Sequence, residues 1–339
     1  MADIITRAVI TQTASREPLS RRRLLAGSSA ALAAGVVAPT WPALAKAPML
    51  GTPAPSFYRF KLGSIEATVV SDGPLPIGEA QRTFRGPPIS EINQMIAEHF
   101  LPSDNIVLDQ NSLVLNTGDK LVLFDTGMAS MPRPGAQTGR LTASLKQAGI
   151  DPKDIDAIIL THPHIDHSGG IMAADGTTRN FPNAQIHVMQ NDFEFWTDEK
   201  RFGTPAEGSA RTAIKNLLPN RDRIIFFKDG QELLPGVVAM HTPGHTIGHT
   251  VFMITSGGKT ICNMGDIAHH PILFQNPRLE VNFDTDAKQG VATRIKVFDM
   301  LAAQKVPALV YHMPWPGIGH VAKQGDGFRY VASNMQLVL

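Results

Sequence analysis

Three histidines and an aspartate fall within six residues of this chain: His162, His164, Asp166 and His167. The apolar run before them, Ala157-Ile-Ile-Leu160, reads as a buried strand, and Ser168-Gly-Gly170 behind them reads as a turn. A cluster at the carboxyl end of a strand lies where α/β proteins place their chemistry. Neutral imidazole and carboxylate are ligands suited to a borderline ion such as zinc. With 12 histidines in 339 residues, so tight a group is hard to explain by packing. The chain is therefore restricted to folds in which strand ends deliver several ligands to one place.

His162-Pro-His164-Ile-Asp166-His167 resembles the signature of the metallo-β-lactamase fold. The resemblance implies an α/β architecture, a four-layer αβ/βα sandwich with one or two metals at the rim between its sheets. Further motifs fit the same pattern. Gln110 to Asp125 reads as a hairpin with its turn at Asn116-Thr-Gly-Asp119, and it ends in Asp125-Thr-Gly127. By resemblance, Asp125 supports the metal site from beneath, where a carboxylate accepts the spare N–H of a ligand imidazole. His241-Thr-Pro-Gly-His245-Thr-Ile-Gly-His249 follows a strand at 236–240, and the family's Thr-Pro-Gly-His pattern points to His245. His241 and His249 read as supporting or structural. Met264-Gly-Asp266 follows a further hairpin, and the family's bridging carboxylate falls on Asp266. The final ligand follows the last strand in this family, which selects His312 after Pro307 to Tyr311; His320, past two prolines, remains its rival. The resemblance thus gives metal one His162, His164 and His245. Metal two takes Asp166, His167 and His312, and Asp266 joins the pair.

The remaining sequence sets bounds. Residues 1–47 read as an export segment: Ser20-Arg-Arg-Arg-Leu-Leu25 precedes a modest Ala/Gly-rich stretch and small-residue cleavage sites near Ala45 and Ala47. The paired arginines resemble a twin-arginine signal, which implies a periplasmic or secreted protein. The apolar stretch falls short of the ~20 strongly apolar residues of a membrane span, so no anchor is expected after processing. Removal through Ala45 takes away five Arg, one Asp and one Glu, turning the formal +1 into about −2. No basic surface for nucleic acid is indicated. One cysteine, Cys262, excludes an internal disulfide and reads as a small buried residue. Residues 48–339 are expected to form one catalytic domain with two similar halves, about 56–180 and 181–339. Paired strands are expected at 57–62 and 65–70, a loop at 71–88, and helices at 89–100, 141–149, 192–201 and 284–304.

The implied chemistry is hydrolysis by two divalent metal ions, most simply zinc, with a bridging hydroxide as nucleophile. Asp166 and Asp266 would handle charge and protons at the metals. His269, with His270 beside it, could donate to a leaving group. The resemblance sharpens at Gly265-Asp-Ile-Ala-His-His270, Val281-Asn-Phe-Asp-Thr-Asp286 and His312-Met-Pro-Trp-Pro-Gly-Ile-Gly-His320, which are similar to methyl parathion hydrolase and its quorum-quenching lactonase-like relatives. The expected substrate is a small neutral ester-like molecule: a lactone, an ester or an organophosphate triester. Trp196 and Trp315, with Phe195, are expected to wall an apolar pocket. β-Lactam hydrolysis is the second reading, disfavoured by the Asp at 266; an exported metal-binding module without catalysis is the third. Relatives in the resembling family are often dimers, so a homodimer is also an expectation.

Overall fold

A computed structural model describes residues 55–129 and 135–338 of the chain. The export segment expected at 1–47 lies outside the described residues.

β-Branched and aromatic residues build the first hairpin, Phe57–Leu62 with Ile65–Ser71. Leu62 faces Ile65 across a two-residue turn. Gly63 there has φ +57°, and a Cβ on it would lie 2.2 Å from the carbonyl oxygen of Ser256, so only glycine fits. The hairpin opens a seven-stranded sheet that continues through Asn111–Asn116, Leu121–Phe124, Ala157–Ile159, Gln185–Met189 and Ile224–Phe227. Its first three pairings are antiparallel and its last three parallel. Each parallel step needs a crossover. The helices Leu141–Gln147, Ile165–Ser168, Gln190–Trp196 and Glu207–Leu217 lie in those crossovers.

A second seven-stranded sheet runs from Glu232–Leu234 to Gly327–Ala332, again with neighbours in chain order. One of its pairings is parallel, Lys259–Asn263 with Ala308–Leu309, and the helix Ala287–Gln304 makes that crossover. Asp286 caps this helix by accepting the amide of Gln289 at 3.0 Å.

Among the described residues, three buried apolar clusters account for the layering. One packs the helices Leu141–Gln147, Gln190–Trp196 and Glu207–Leu217 on the first sheet, through Leu145, Phe193 and Leu217. A second lies between the sheets, where Phe124 meets Phe252 edge-on at 5.3 Å. The third packs Ile92, Phe274 and Phe298 on the outer face of the second sheet. Helix, sheet, sheet, helix is the four-layer αβ/βα sandwich that the histidine motif implied.

Several boundaries shift from the sequence reading. The sheets divide between Phe227 and Glu232 rather than at 180/181, because Gln185–Met189 and Ile224–Phe227 extend the parallel run of the first sheet. The expected loop at 71–88 contains the short strands Leu75–Gly78 and Phe84–Arg85, which pair with Ile106–Leu108 and Glu280–Val281. Glycine and proline concealed those strands. The strands Leu121–Phe124, Ala157–Ile159, Lys259–Asn263 and Ala308–Leu309 all end at one rim, and Asp125, His162, Asp266 and His312 follow their ends.

Candidate metal centre

The turn after Ala157–Ile159 brings His162, His164 and His167 to the rim, all buried. Asp125 shapes this turn. Its carboxylate accepts the amide and hydroxyl of Thr161, each at 2.9 Å, and the Nδ1–H of His167 at 3.0 Å. Because the Thr161 hydroxyl donates to Asp125, its lone pair is left to accept Nδ1–H of His162 at 3.1 Å. His245 donates its own Nδ1–H to Asp284 at 2.9 Å. Both histidines then present bare Nε2 atoms to one another across 3.1 Å. Nδ1 of His164 completes the group at 2.9 Å from His245 Nε2.

A second group adjoins the first. His312 donates Nδ1–H to the carbonyl of Asp109 at 2.8 Å, so its Nε2 points inward, 3.2 Å from both Asp166 and Asp266. His167 Nε2 lies 3.3 Å from Asp266 and 3.6 Å from Asp166. Asp266 reaches both groups, with His245 Nε2 3.3 Å away. The sets His162–His164–His245 and Asp166–His167–Asp266–His312 each offer ligand atoms within 4.8 Å of one another, and each could hold a metal ion. His245, Asp266 and His269 form a third such set.

The donor set fits cations on several counts. Two imidazole lone pairs at 3.1 Å repel unless a positive charge lies between them. Nε2 of His167, Oδ1 of Asp266 and both nitrogens of His269 are buried without hydrogen-bond partners in the protein, an expensive condition without an ion. Burial, reinforced by neighbouring imidazoles, holds His162 and His164 well below the ordinary histidine range, and His245 is held at about 3, burial again being the largest cause. Burial also opposes charge on His312, but Asp266 and Asp166 outweigh it and raise the ring to about 10. A proton on His312 supplies positive charge that the carboxylates require; divalent cations at the inward atoms would supply it instead.

The metallo-beta-lactamase superfamily pattern matches residues 105–311, more than half of the chain. The chain belongs to the metallo-β-lactamase superfamily. A curated relative, an N-acyl homoserine lactonase from Bacillus sp, is 26% identical over 234 residues, covering 58% of this chain and 86% of that protein. Among solved structures, AidC, a dizinc quorum-quenching lactonase in complex with the product N-hexanoyl-L-homoserine, is 29% identical with a TM-score of 0.76. That match covers 82% of this chain and 98% of AidC. The hydrolase AbOPH, described as in the beta lactamase superfamily, is 26% identical with a TM-score of 0.76, covering 84% of this chain and 99% of that one.

In this metallo-β-lactamase superfamily chain, the clusters form the floor of a cavity of about 490 Å³. Leu75, Ile77, Leu108, Ile165, Phe195 and Trp196 supply its apolar wall. Trp196 stands edge-on to His164 at 4.8 Å. His269 lines the same cavity, stacked on His312 at 5.3 Å, with Nε2 3.2 Å from Asp266. Trp315 corrects the sequence reading: it is not among the lining residues but packs against the core between the sheets, its amide bound to the Asp109 carboxylate at 3.0 Å. Its position just after His312 suggested the pocket; the turn there directs the indole to the core instead. His320 lies in the strand Ile318–Gln324 on a surface groove, away from both clusters, so His312 prevails. His270 packs against Phe84 at 5.6 Å and joins neither cluster.

The structure shows how His249, read from the sequence as supporting or structural, acts, and it adds supports that sequence reasoning left unread, Tyr311 and Asp192 among them. His249 Nε2 accepts the amide of Asp266 at 3.0 Å, so Nδ1–H donates to Thr242 at 2.9 Å. The Tyr311 hydroxyl donates to the carbonyl of Asp166 at 2.7 Å. Asp192 accepts Thr246 and the amide of Gly248, tying the helix of Trp196 to the turn of His245. Tyr311 and Asp192 carry no local signal in the sequence.

Proposed function

We propose that this chain is a two-metal hydrolase of neutral lactones and esters, with zinc in both sites. One observation carries the reading: two adjoining histidine–aspartate clusters, sharing Asp266, form the floor of a cavity whose wall is mostly apolar. The lactonase names and substantial coverage of AidC and the Bacillus relative support lactones as the first class to test. Organophosphate triesters, neutral and of similar bulk, are the second.

Bound in these clusters, two divalent cations would supply Lewis acidity that activates water near neutral pH and offsets negative charge on a tetrahedral transition state. The protein supplies the rest. Asp125, Thr161 and the carbonyl of Asp109 fix the inward faces of His167, His162 and His312. Trp196 and Phe195 exclude water from one side and hold an apolar substituent. His269 lines the cavity beside Asp266 with neither ring nitrogen hydrogen-bonded within the protein, and is placed to donate N–H to a departing oxygen.

The test is to purify the chain, measure metal per monomer, and assay the same sample on an N-acyl homoserine lactone, an aryl ester, a methyl phosphotriester and a β-lactam. About two zinc ions with lactone or ester turnover is the expected result. Turnover of the β-lactam alone would replace the reading with β-lactamase. Less than one metal after zinc is supplied, without turnover, would overturn it. Export by residues 1–47 belongs to the same proposal; replacing Arg21, Arg22 and Arg23 with Lys should keep the chain in the cytoplasmic fraction.

A further inference from the structure

Two buried carboxylates lie behind the clusters, each accepting the outward N–H of one histidine. Asp125 does so for His167. Asp284 does so for His245, with Oδ1 2.9 Å from Nδ1. Asp284 belongs to the motif Val281-Asn-Phe-Asp-Thr-Asp286, which the catalytic reading leaves without a role. It is tightly held. Arg294, from the helix Ala287–Gln304, brings Nη2 to 3.6 Å from its Oδ2. Arg294 heads the largest fully buried side chains, and it donates to the carbonyls of Ile267, Pro277 and Leu279. Those carbonyls belong to the segment leaving Asp266. A buried ion pair of this kind persists because each partner neutralises the other and the arginine's remaining donors are satisfied.

The backbone reinforces the arrangement. The amide of Thr285 donates to the carbonyl of His245, and that of Asp286 to Gly244, each at 2.9 Å. Gly244, at φ +133°, packs against the first turns of the helix so closely that a Cβ would lie 2.3 Å from the amide nitrogen of Gly290. The turn bearing His245, the loop 284–286 and the helix bearing Arg294 are thus joined at several points. Asn282 and Phe283 just before that loop, and Asp284 and Thr285 within it, also line the cavity.

We infer that Asp284, oriented by Arg294, is the positioning residue of the His162–His164–His245 site: it keeps the Nε2 lone pair of His245 turned inward, as Asp125 does for His167 on the other side. The inference rests on the two-metal reading above. A carboxylate behind a ligand imidazole sets its tautomer and raises its basicity, and losing one typically costs about 10–100-fold in metal affinity.

The experiment measures zinc affinity by competition with a chromophoric chelator for wild type, Asp284→Asn and Asp284→Ala. The same is done for Asp284→Ala in a His245→Ala background, with thermal unfolding of every zinc-free variant alongside. Asp284→Ala should weaken one of two zinc sites by about 10–100-fold and leave the other as in wild type. Asp284→Asn keeps an acceptor oxygen without the charge and should fall between. In the His245→Ala background, Asp284→Ala should have no further effect on zinc. Unchanged zinc affinity, equal weakening of both sites in step with lost thermal stability, or the same loss persisting without His245 would overturn the inference. Should the alanine variant not fold, the asparagine variant decides alone: selective weakening supports the inference, and wild-type affinity overturns it. A wild type holding less than one zinc would instead overturn the two-metal reading.

Discussion

Replacing Tyr311 with Phe removes one oxygen and leaves the ring. The hydroxyl donates to the carbonyl of Asp166 at 2.7 Å, and the ring packs on His167 at 4.1 Å between centroids. Both groups are buried, so water cannot replace the lost donor. A buried carbonyl deprived of its partner costs about 1–3 kcal/mol. In a domain of this size each kcal/mol lowers Tm by about 2–4 °C, which gives a drop of about 2–12 °C in chelator. Asp166 also contributes its carboxylate to the second cluster, so the same freedom should appear as weaker zinc binding and lower kcat/KM. If the full penalty fell on the transition state, kcat/KM would fall by about 5- to 150-fold. Thermal unfolding with and without zinc separates the two effects. A Tm unchanged in chelator, together with an unchanged kcat/KM, would refute the reasoning, because the hydrogen bond would then contribute nothing in either state.

Asp266→Ala removes the carboxylate shared by both clusters; zinc should fall to one ion or fewer by elemental analysis, with kcat/KM down by at least about 10³-fold. Chelation should lower Tm, since an ion held at 1,000 times its Kd contributes about 4 kcal/mol to the folded state, and zinc should restore it. Burial, helped by Lys120, depresses His187 to about 4. Above pH 6.5 the ring is neutral in both states and carries no penalty; as pH falls from there to about 4 the unfolded chain takes up the proton first and the fold loses about 3 kcal/mol; His187→Leu should flatten that part of the stability profile, measured by denaturant unfolding in chelator. Trp196→Ala should raise KM for a lactone because it opens the cavity wall, whereas Trp315→Ala should lower Tm with KM little changed.

The parts of the centre legible in the sequence were those encoded locally. His162, His164, Asp166 and His167 sit on one turn, so their spacing alone announces a site. His245 and Asp266 each follow a strand within a short glycine-containing motif. Asp284 had no such signal: it lies 39 residues from His245, and only the crossover helix brings it alongside. Tyr311 looked like the end of an apolar strand, because its hydroxyl acts 145 residues away. Trp315 misled for the converse reason, since nearness to His312 in sequence did not set the direction of its indole. The hairpin Ile318–Gln324 with Gly327–Ala332 went unread because it joins the second sheet only by pairing with Ala308–Leu309.

Each proposed metal site draws on both sheets. His162, His164, Asp166 and His167 come from the first, while His245, Asp266 and His312 come from the second. A chain with only one sheet formed encloses neither ion. Zinc capture would therefore read out the docking of the two sheets on one another. The zinc content of a preparation should then count molecules that have completed the sandwich, whatever substrate they are assayed on.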